Sequence, residues 1–148
     1  MSDDKEHYGE GHPETPGTGA LEGYKTWIGL DPCEDHMGPF YFKKNEDSTV
    51  TCAFVAEEKH INGHGTTHGG LLMTFADFSL FAIAQDSLNT GFGVTISLNS
   101  EFIAAGKLGD LIRAEGKVVR STRSLVFVQG EVLNDERTLL NFSGIIKK

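Results

Sequence analysis

The alternation of apolar and polar positions divides the chain into a front part with strands, one long helix and a second part rich in strands. A helix is predicted from about Gly69 to Ser87, because apolar side chains occupy nearly every side of the helical turn. A helix that is apolar all round is buried by other structure. In a chain of this size only a curved sheet or a partner subunit can supply that cover.

Alternation with a period of two predicts strands on both sides of the helix. The predicted strands cover residues 40–42, 49–56, 93–103, 110–120, 124–134 and 138–146. Short links that are polar or contain glycine join the last four strands, which predicts antiparallel neighbours in a meander. The sequence therefore predicts an α+β fold in which an antiparallel sheet curls around a long central helix.

The front of the chain has a different composition. Residues 1–22 contain four glycines, two prolines and six acidic groups with almost no large apolar side chain, which predicts a mobile acidic tail. A short apolar cluster follows and is expected to dock as a helical turn that Asp31-Pro32 ends; its members are Tyr24, Trp27, Ile28 and Leu30. The predicted organisation is a tail over residues 1–22 and a single domain over residues 23–148.

Composition narrows the functional classes. The 148 residues can form one core without disulfides or a structural metal, and the two cysteines stand in no CxxC motif. The formal net charge of −8 and the lack of a basic run disfavour nucleic-acid binding. No signal-peptide pattern is present, and the longest apolar stretch, Leu71 to Ala84, is too short to span a bilayer. We therefore expect a cytoplasmic protein without a membrane or nucleic-acid partner.

Two features of the predicted helix could carry chemistry. Asp77 lies in its apolar middle, where a carboxylate is costly unless something uses or compensates it, so a catalytic and a structural role are both open. At the helix start, Gly69 and Gly70 leave unpaired amides that could hold an oxyanion, or they form an ordinary glycine-bearing loop. Thr95, in the following strand, is either a hydrogen-bonding group of the site or simply a good strand former.

The spacing of these features favours a shared site. Eight residues separate Gly69 from Asp77, which is about 12 Å along a helix axis. One active site would not easily include both from the same chain. Two copies with their helices side by side and antiparallel would place the amides of one against the carboxylate of the other, which predicts a dimer.

Metal binding is the competing chemistry. His60, His64 and His68 are spaced four residues apart, and Asp77 could be a fourth ligand. The glycines and threonines between residues 60 and 67 make a poor helix, so the three imidazoles are not expected to stack on one face. We therefore expect polar loop residues rather than a metal site.

Several motifs together resemble the hot-dog-fold thioesterases, in particular the phenylacetate-pathway (PaaI-like) branch of acyl-CoA thioesterases. The resemblance covers residues 24–146, and it is carried by Asn62, His68-Gly69-Gly70, Leu71 to Asp77, Gly93 to Asn99, Ala104 to Asp110 and Phe142-Ser143-Gly144. It implies a sheet of five to six strands around the helix. It also implies dimers with two interfacial sites that commonly pair into tetramers.

The resemblance also implies a role for each site residue. The Gly69 amide would polarise the thioester carbonyl, and His68 would shape the loop. Asp77 of the other subunit would be the nucleophile or the general base for water, with Asn62 orienting the water or the carboxylate and Thr95 supporting it. No cofactor is implied, because coenzyme A enters only as part of the substrate.

Two other functions remain open from the sequence. The same fold can serve as a non-catalytic acyl-CoA or lipid-binding module, which would bind an acyl-CoA tightly without releasing coenzyme A. Hydratase or dehydratase chemistry on this scaffold is disfavoured, because those relatives carry differently placed His and Glu residues.

Overall fold

Two helices and eight strands make up the regular structure of residues 13–88, 92–135 and 137–148, which the computed structural model describes. In chain order they are β1 (Glu14–Pro16), β2 (Lys25–Trp27), α1 (Pro32–Met37), β3 (Tyr41–Lys44), β4 (Val50–Val55), α2 (Gly69–Ala84), β5 (Val94–Phe102), β6 (Leu111–Ser121), β7 (Leu125–Leu133) and β8 (Thr138–Lys147). Short 3-10 turns lie at Gly19–Leu21, Glu58–His60 and Gln85–Ser87. Neither α-helix is long and apolar enough to cross a membrane.

The eight strands form one antiparallel sheet in the order β1-β2-β3-β4-β6-β7-β8-β5. The long helix α2 packs against five of these strands, namely β4, β5, β6, β7 and β8. The predicted α+β arrangement of a long helix wrapped by an antiparallel sheet is therefore confirmed. The sheet has eight strands rather than the expected five to six.

The additional strands come from the front of the chain. Residues 14–16 pair with β2 although they fall inside the predicted tail, so the prediction of a tail over 1–22 is wrong for this part. Residues 1–12 lie outside the described residues. The predicted helical turn is absent: Trp27 lies in β2, where its ring packs on Phe42 with 4.3 Å between ring centroids, and the other members of the apolar cluster lie outside any helix or strand.

Asp31 and Pro32 begin a helix rather than ending one. The Asp31 carboxylate accepts a hydrogen bond from the Glu34 amide at 3.0 Å, and Pro32 occupies the first helical position. An Asp cap followed by Pro and, three residues after the cap, Glu is a helix start signal. This signal is present in the sequence, and the helical-turn interpretation overlooked it.

The last four strands do not form a simple meander, because β5 pairs with β8 and β6 pairs with β4 and β7. The link from β5 to β6 is therefore not a hairpin. Gly106 in this link exchanges two hydrogen bonds with Thr67, of 3.0 and 3.1 Å, which tie the link to the loop that enters α2. The link thus carries the chain from one side of α2 to the other, and β5 becomes an edge strand.

Close packing fixes α2 against the sheet. Phe75 is fully buried, and its ring centroid lies 4.7 Å from that of Phe54 and 5.2 Å from that of Phe40. On the opposite side of the helix Gly144 of β8 lies so close to Leu80 that any Cβ there would overlap the leucine side chain. Aromatic rings on one side and a glycine on the other therefore hold α2 at a defined depth.

One stripe of α2 is not covered by its own sheet. Its residues are only partly buried or exposed and recur at helical spacing; they are Gly70, Met73, Thr74, Asp77 and Phe81. Beside this stripe runs β5, whose outward residues Val94 and Ile96 are 67% and 53% exposed. The predicted all-round cover of the helix is thus incomplete within one chain.

Candidate active site

The N-terminus of α2 presents a free amide. His68 is the N-cap residue, and its Nδ1 accepts a hydrogen bond from the Gly70 amide at 2.9 Å. The Gly69 amide donates to no acceptor among the described residues. It lies at the positive end of the helix dipole, where an unpaired donor attracts a negative or polarised oxygen. The Phe102 ring covers Gly69, and a Cβ on this residue would stand 3.1 Å from the ring, closer than ordinary van der Waals contact.

Asn62 organises the loop before the helix. Its Oδ1 accepts hydrogen bonds from the amides of His64 and Thr66 at 2.9 and 3.2 Å, and its backbone amide donates to the Thr66 carbonyl at 2.8 Å. A bridge between Ile61 and Thr67 closes the loop. Asn62, His68 and Gly69 are thereby brought to the same end of α2.

His60 anchors this loop to the end of α1. Its ring is buried, with Nδ1 accepting from the Glu57 amide at 2.9 Å and Nε2 donating to the Met37 carbonyl at 2.7 Å. Burial lowers the pKa of His60, so the imidazole is neutral at pH 7. The His60 carbonyl accepts the His68 amide at 2.8 Å, which connects the end of α1 to the cap of α2.

The hydrogen bonds of His60 and His68 concern the metal site that the histidine spacing left as a competing possibility. Both of its ring nitrogens are engaged, and the His68 Nδ1 caps the helix. No group of three or more His, Cys, Asp or Glu side chains within the described part of the chain could hold a metal ion.

Asp77 lies two turns further along α2. Its Oδ1 accepts a hydrogen bond of 2.6 Å from the Thr95 hydroxyl on β5. Burial raises the pKa of Asp77, while the Thr95 bond opposes that shift and the charge of Asp31 adds to it. A carboxylate with raised pKa and one fixed donor suits both proton abstraction and nucleophilic attack.

The sequence-predicted residues therefore fall into two groups. Asn62, His68 and Gly69 lie at the start of α2, and Asp77 and Thr95 lie about 12 Å further along the helix. Within one chain the members of each group lie close together, but the two groups lie apart from each other. A helix-terminal amide without an acceptor among the described residues and a carboxylate with a raised pKa are both present. Asp77 lies on the stripe of α2 that its own chain leaves uncovered, whereas Gly69 is partly buried against Phe102.

The sequence analysis missed Glu34. It lies on α1, which packs on α2, and its side chain lines a small cavity together with Phe40 and Phe78. Phe78 follows Asp77 directly in α2. The capping signal at Asp31-Pro32 could have placed Glu34 on a helix, but nothing in the sequence shows that this helix packs beside Asp77.

A long helix in a wrapping antiparallel sheet is the hot-dog fold, and here the helix carries an amide without an acceptor among the described residues at its N-terminus and a carboxylate two turns on. The sequence model of the thioesterase superfamily matches residues 64–141. The chain belongs to this superfamily, as its motifs indicated.

Individual relatives agree with this assignment. PA0474 of Pseudomonas aeruginosa, a predicted esterase, is 30% identical over 125 residues, which are 84% of this chain and 93% of that protein. Human acyl-coenzyme A thioesterase 13 is 31% identical over 86 residues, 57% of this chain and 61% of that protein. Among solved structures, a point mutant of the phenylacetic acid degradation protein PaaI from Thermus thermophilus superposes with a TM-score of 0.67 at 26% identity, covering 80% of this chain and 99% of that one.

Proposed function

We propose that this protein hydrolyses acyl-CoA thioesters to a free acid and coenzyme A. The observation that carries the proposal is the pair of groups on α2, a Gly69 amide without an acceptor among the described residues and an Asp77 carboxylate held by Thr95. The resemblance to human acyl-coenzyme A thioesterase 13 supports the substrate class. The proposal also includes a partner subunit that completes the site and a binding site for the coenzyme A phosphates.

In the reaction, the Gly69 amide donates to the thioester oxygen and stabilises the negative charge that develops there. As general base, Asp77 takes a proton from water, and the resulting hydroxide bonds to the carbonyl carbon. The C–S bond then breaks and the coenzyme A thiolate leaves. As nucleophile, the Asp77 carboxylate would itself form that bond, and water would hydrolyse the acyl-Asp anhydride. Neither route calls for a cofactor, and Asn62 would orient the water or the carboxylate.

A second copy of the chain would complete the site. Residue 73 lies midway between Gly69 and Asp77, so a two-fold axis near Met73 would place Gly69 of each subunit against Asp77 of the other. Met73 lies on the uncovered stripe of α2, and the exposed apolar edge of β5 lies next to it. A homodimer that buries the stripe and this edge would remove both of these surfaces from water. Pairing of such dimers into a tetramer rests on the family resemblance alone.

The coenzyme A phosphates fit the basic end of the sheet. Arg120 and Arg123 are exposed at the β6–β7 turn, and no ion pair holds them among the described residues. Lys147 is close by, because it pairs with Leu125 and Val94 across neighbouring strands. The preceding β8 residue, Ile146, pairs with Thr95. Lys147 thus lies on the strand beside β5, whose Thr95 binds Asp77, and Arg120 and Arg123 lie at the same end of the sheet, in a chain with a net charge of −8.

Replacing Arg120 and Arg123 by Ala is expected to raise KM for an acyl-CoA about tenfold with kcat little changed, because exposed cations attract the phosphates but do not touch the thioester. Steady-state kinetics at low and high salt would measure this, and the difference should shrink as salt rises. Arg113→Ala is the matched control, since Arg113 is already paired with Asp135 at 2.7 Å at the other end of β6. An unchanged KM in the double variant would remove these arginines from the phosphate site.

The proposed activity is tested with purified protein and a panel of short, medium, long and aromatic acyl-CoAs, with a thiol reagent reporting free coenzyme A. Catalytic release of coenzyme A from at least one thioester is expected. Tight binding of an acyl-CoA without any release would instead identify a binding module and contradict the proposal.

A further inference from the structure

A second carboxyl group lies near Asp77 and has no part in the reaction described above. Glu34 occupies the middle of α1, and its side chain lines a cavity of about 10 Å³ with Phe40 and Phe78. This space suffices for about one water molecule. Glu34 thus faces the same cavity as Phe78, the α2 residue that follows Asp77.

The two carboxyl groups have different surroundings. Asp77 accepts the Thr95 hydroxyl, which favours its charged form. No donor among the described residues reaches the Glu34 carboxyl, and the cavity that it lines is shared with Thr26, Asp35 and three aromatic residues, Trp27, Phe40 and Phe78. Groups placed in this way divide their roles, since one ionises readily and the other keeps its proton.

The negative charges around Glu34 all raise the pKa of its carboxyl group. On α1 it is flanked by Asp31 and Asp35, and from α2 it faces Asp77. Burial, which is the main cause, and then these three charges raise the pKa of Glu34 to about 8. On β4 the buried Cys52 thiol is neutral, because burial raises its pKa to about 12.

No nearby cation in the described part of the chain compensates this cluster. The Lys59 amine binds the carbonyls of His36 and Gly38 at the far end of α1. Lys25 of β2 pairs with Glu14 at 2.8 Å. Within the described residues, no salt bridge includes Glu34. Its carboxyl is therefore neutral at pH 7.

The proton that Glu34 retains in the folded protein lowers the free energy of unfolding above pH 4.5. Between the ordinary value of 4.5 and about 8, the folded protein retains a proton that the unfolded chain releases, so stability falls as pH rises through this window. A glutamine at position 34 would avoid the loss. Residues that lower stability in this way are concentrated at functional positions.

We propose that Glu34 is a positioning residue for Asp77, whose neutral form keeps α1 packed beside Asp77 and whose ionisation displaces α1 and stops turnover. The inference rests on the proposed thioesterase function. An ionised Glu34 that is partly buried beside Asp31, Asp35 and Asp77 is repelled by their charges, so it moves towards water and takes α1 with it.

This displacement reaches both groups of the active site. α1 packs on α2, and Glu34 of α1 lines the same cavity as Phe78, the α2 residue that follows Asp77. Its last residue, Met37, accepts the His60 ring at 2.7 Å, and His60 holds the His68 amide at 2.8 Å. Moving α1 therefore disturbs the carboxylate and the loop that presents the Gly69 amide.

The test compares kcat/KM for an acyl-CoA between pH 5 and 10 in the wild type and in Glu34→Gln. Wild-type activity is expected to fall about tenfold per pH unit above pH 8, and the alkaline fall should be absent in Glu34→Gln. Glu58→Gln, which removes an exposed carboxylate of the 3-10 turn, is the control and should behave as the wild type. An alkaline fall that persists in Glu34→Gln overturns the inference.

A second readout separates this inference from the proposed function. In NMR spectra of ¹³C-carboxyl-labelled protein, Glu34 should titrate near pH 8, and at lower pH in Asp77→Asn. The amide resonances of α1 should shift above pH 8 in the wild type but not in Glu34→Gln. If no acyl-CoA is hydrolysed, the proposed function fails, and the coupling of Glu34 to α1 and Asp77 then stands or falls on these resonances.

Discussion

Asp77→Asn is expected to lower kcat for acyl-CoA hydrolysis about 10³-fold while the protein stays folded and keeps its oligomeric state. An amide can neither accept a proton from water nor attack the thioester, so both possible roles of Asp77 are lost together. Removing this carboxylate should not weaken the fold, because burial already disfavours its charge.

The measurement is steady-state release of coenzyme A, with circular dichroism and light scattering to establish folding and assembly. Asp86→Asn is the matched control: Asp86 follows α2 in the chain, is exposed and pairs with Lys44 at 2.7 Å. This control should retain wild-type turnover. If Asp77→Asn also retained turnover, Asp77 would not be the base or nucleophile.

Gly69→Pro is expected to lower kcat about 10²-fold or more, because it deletes the amide proposed to hold the oxyanion. The backbone suits this substitution. Gly69 is the first residue of α2, where proline is well tolerated, and His68 is extended at φ −68° and ψ 130°, as a residue before proline prefers.

Gly69→Ala separates the lost amide from the added bulk. Its Cβ meets the Phe102 ring at 3.1 Å, as the proline Cβ would, but the amide remains. A much smaller loss is therefore expected for alanine than for proline. Equal losses in the two variants would assign the effect to crowding against Phe102 rather than to the oxyanion.

Mixing the two inactive variants tests whether the site is shared between subunits. In a dimer of one Gly69→Pro and one Asp77→Asn subunit, one of the two sites receives an intact amide and an intact carboxylate. Random exchange of equal amounts should restore about a quarter of the wild-type rate. If both groups acted within one chain, no mixed dimer would contain an intact site and no activity would return.

The repeating patterns of the sequence determine most of the secondary structure. The helix predicted from Gly69 begins at that residue, and the last four strands lie within about two residues of their predicted bounds. These predictions succeed because long periodic segments report which face each residue buries. The prediction for the front of the chain was wrong because β1 and β2 have only three residues each, which is too short for a periodic pattern to show.

The candidate site residues could likewise be proposed from the sequence. A carboxylate in an apolar helix and glycines at a helix start are local anomalies, so Asp77 and Gly69 stand out without any structure. Thr95 was a weaker candidate, since a threonine in a strand is ordinary, and only the folded chain shows its 2.6 Å bond to Asp77.

The short links predicted the antiparallel pairs β6–β7 and β7–β8, but tertiary structure decided which other elements became neighbours. The short link before β6 predicted a hairpin, yet β5 lies next to β8, because Gly106 binds Thr67 and directs the link across the end of α2. The packing of α1, which surrounds Glu34 with Phe40, Phe78 and negative charge, follows from contacts between residues far apart in the chain. Periodicity identifies the faces that residues share within an element, but the partner of each face is set by contacts that the linear pattern does not contain.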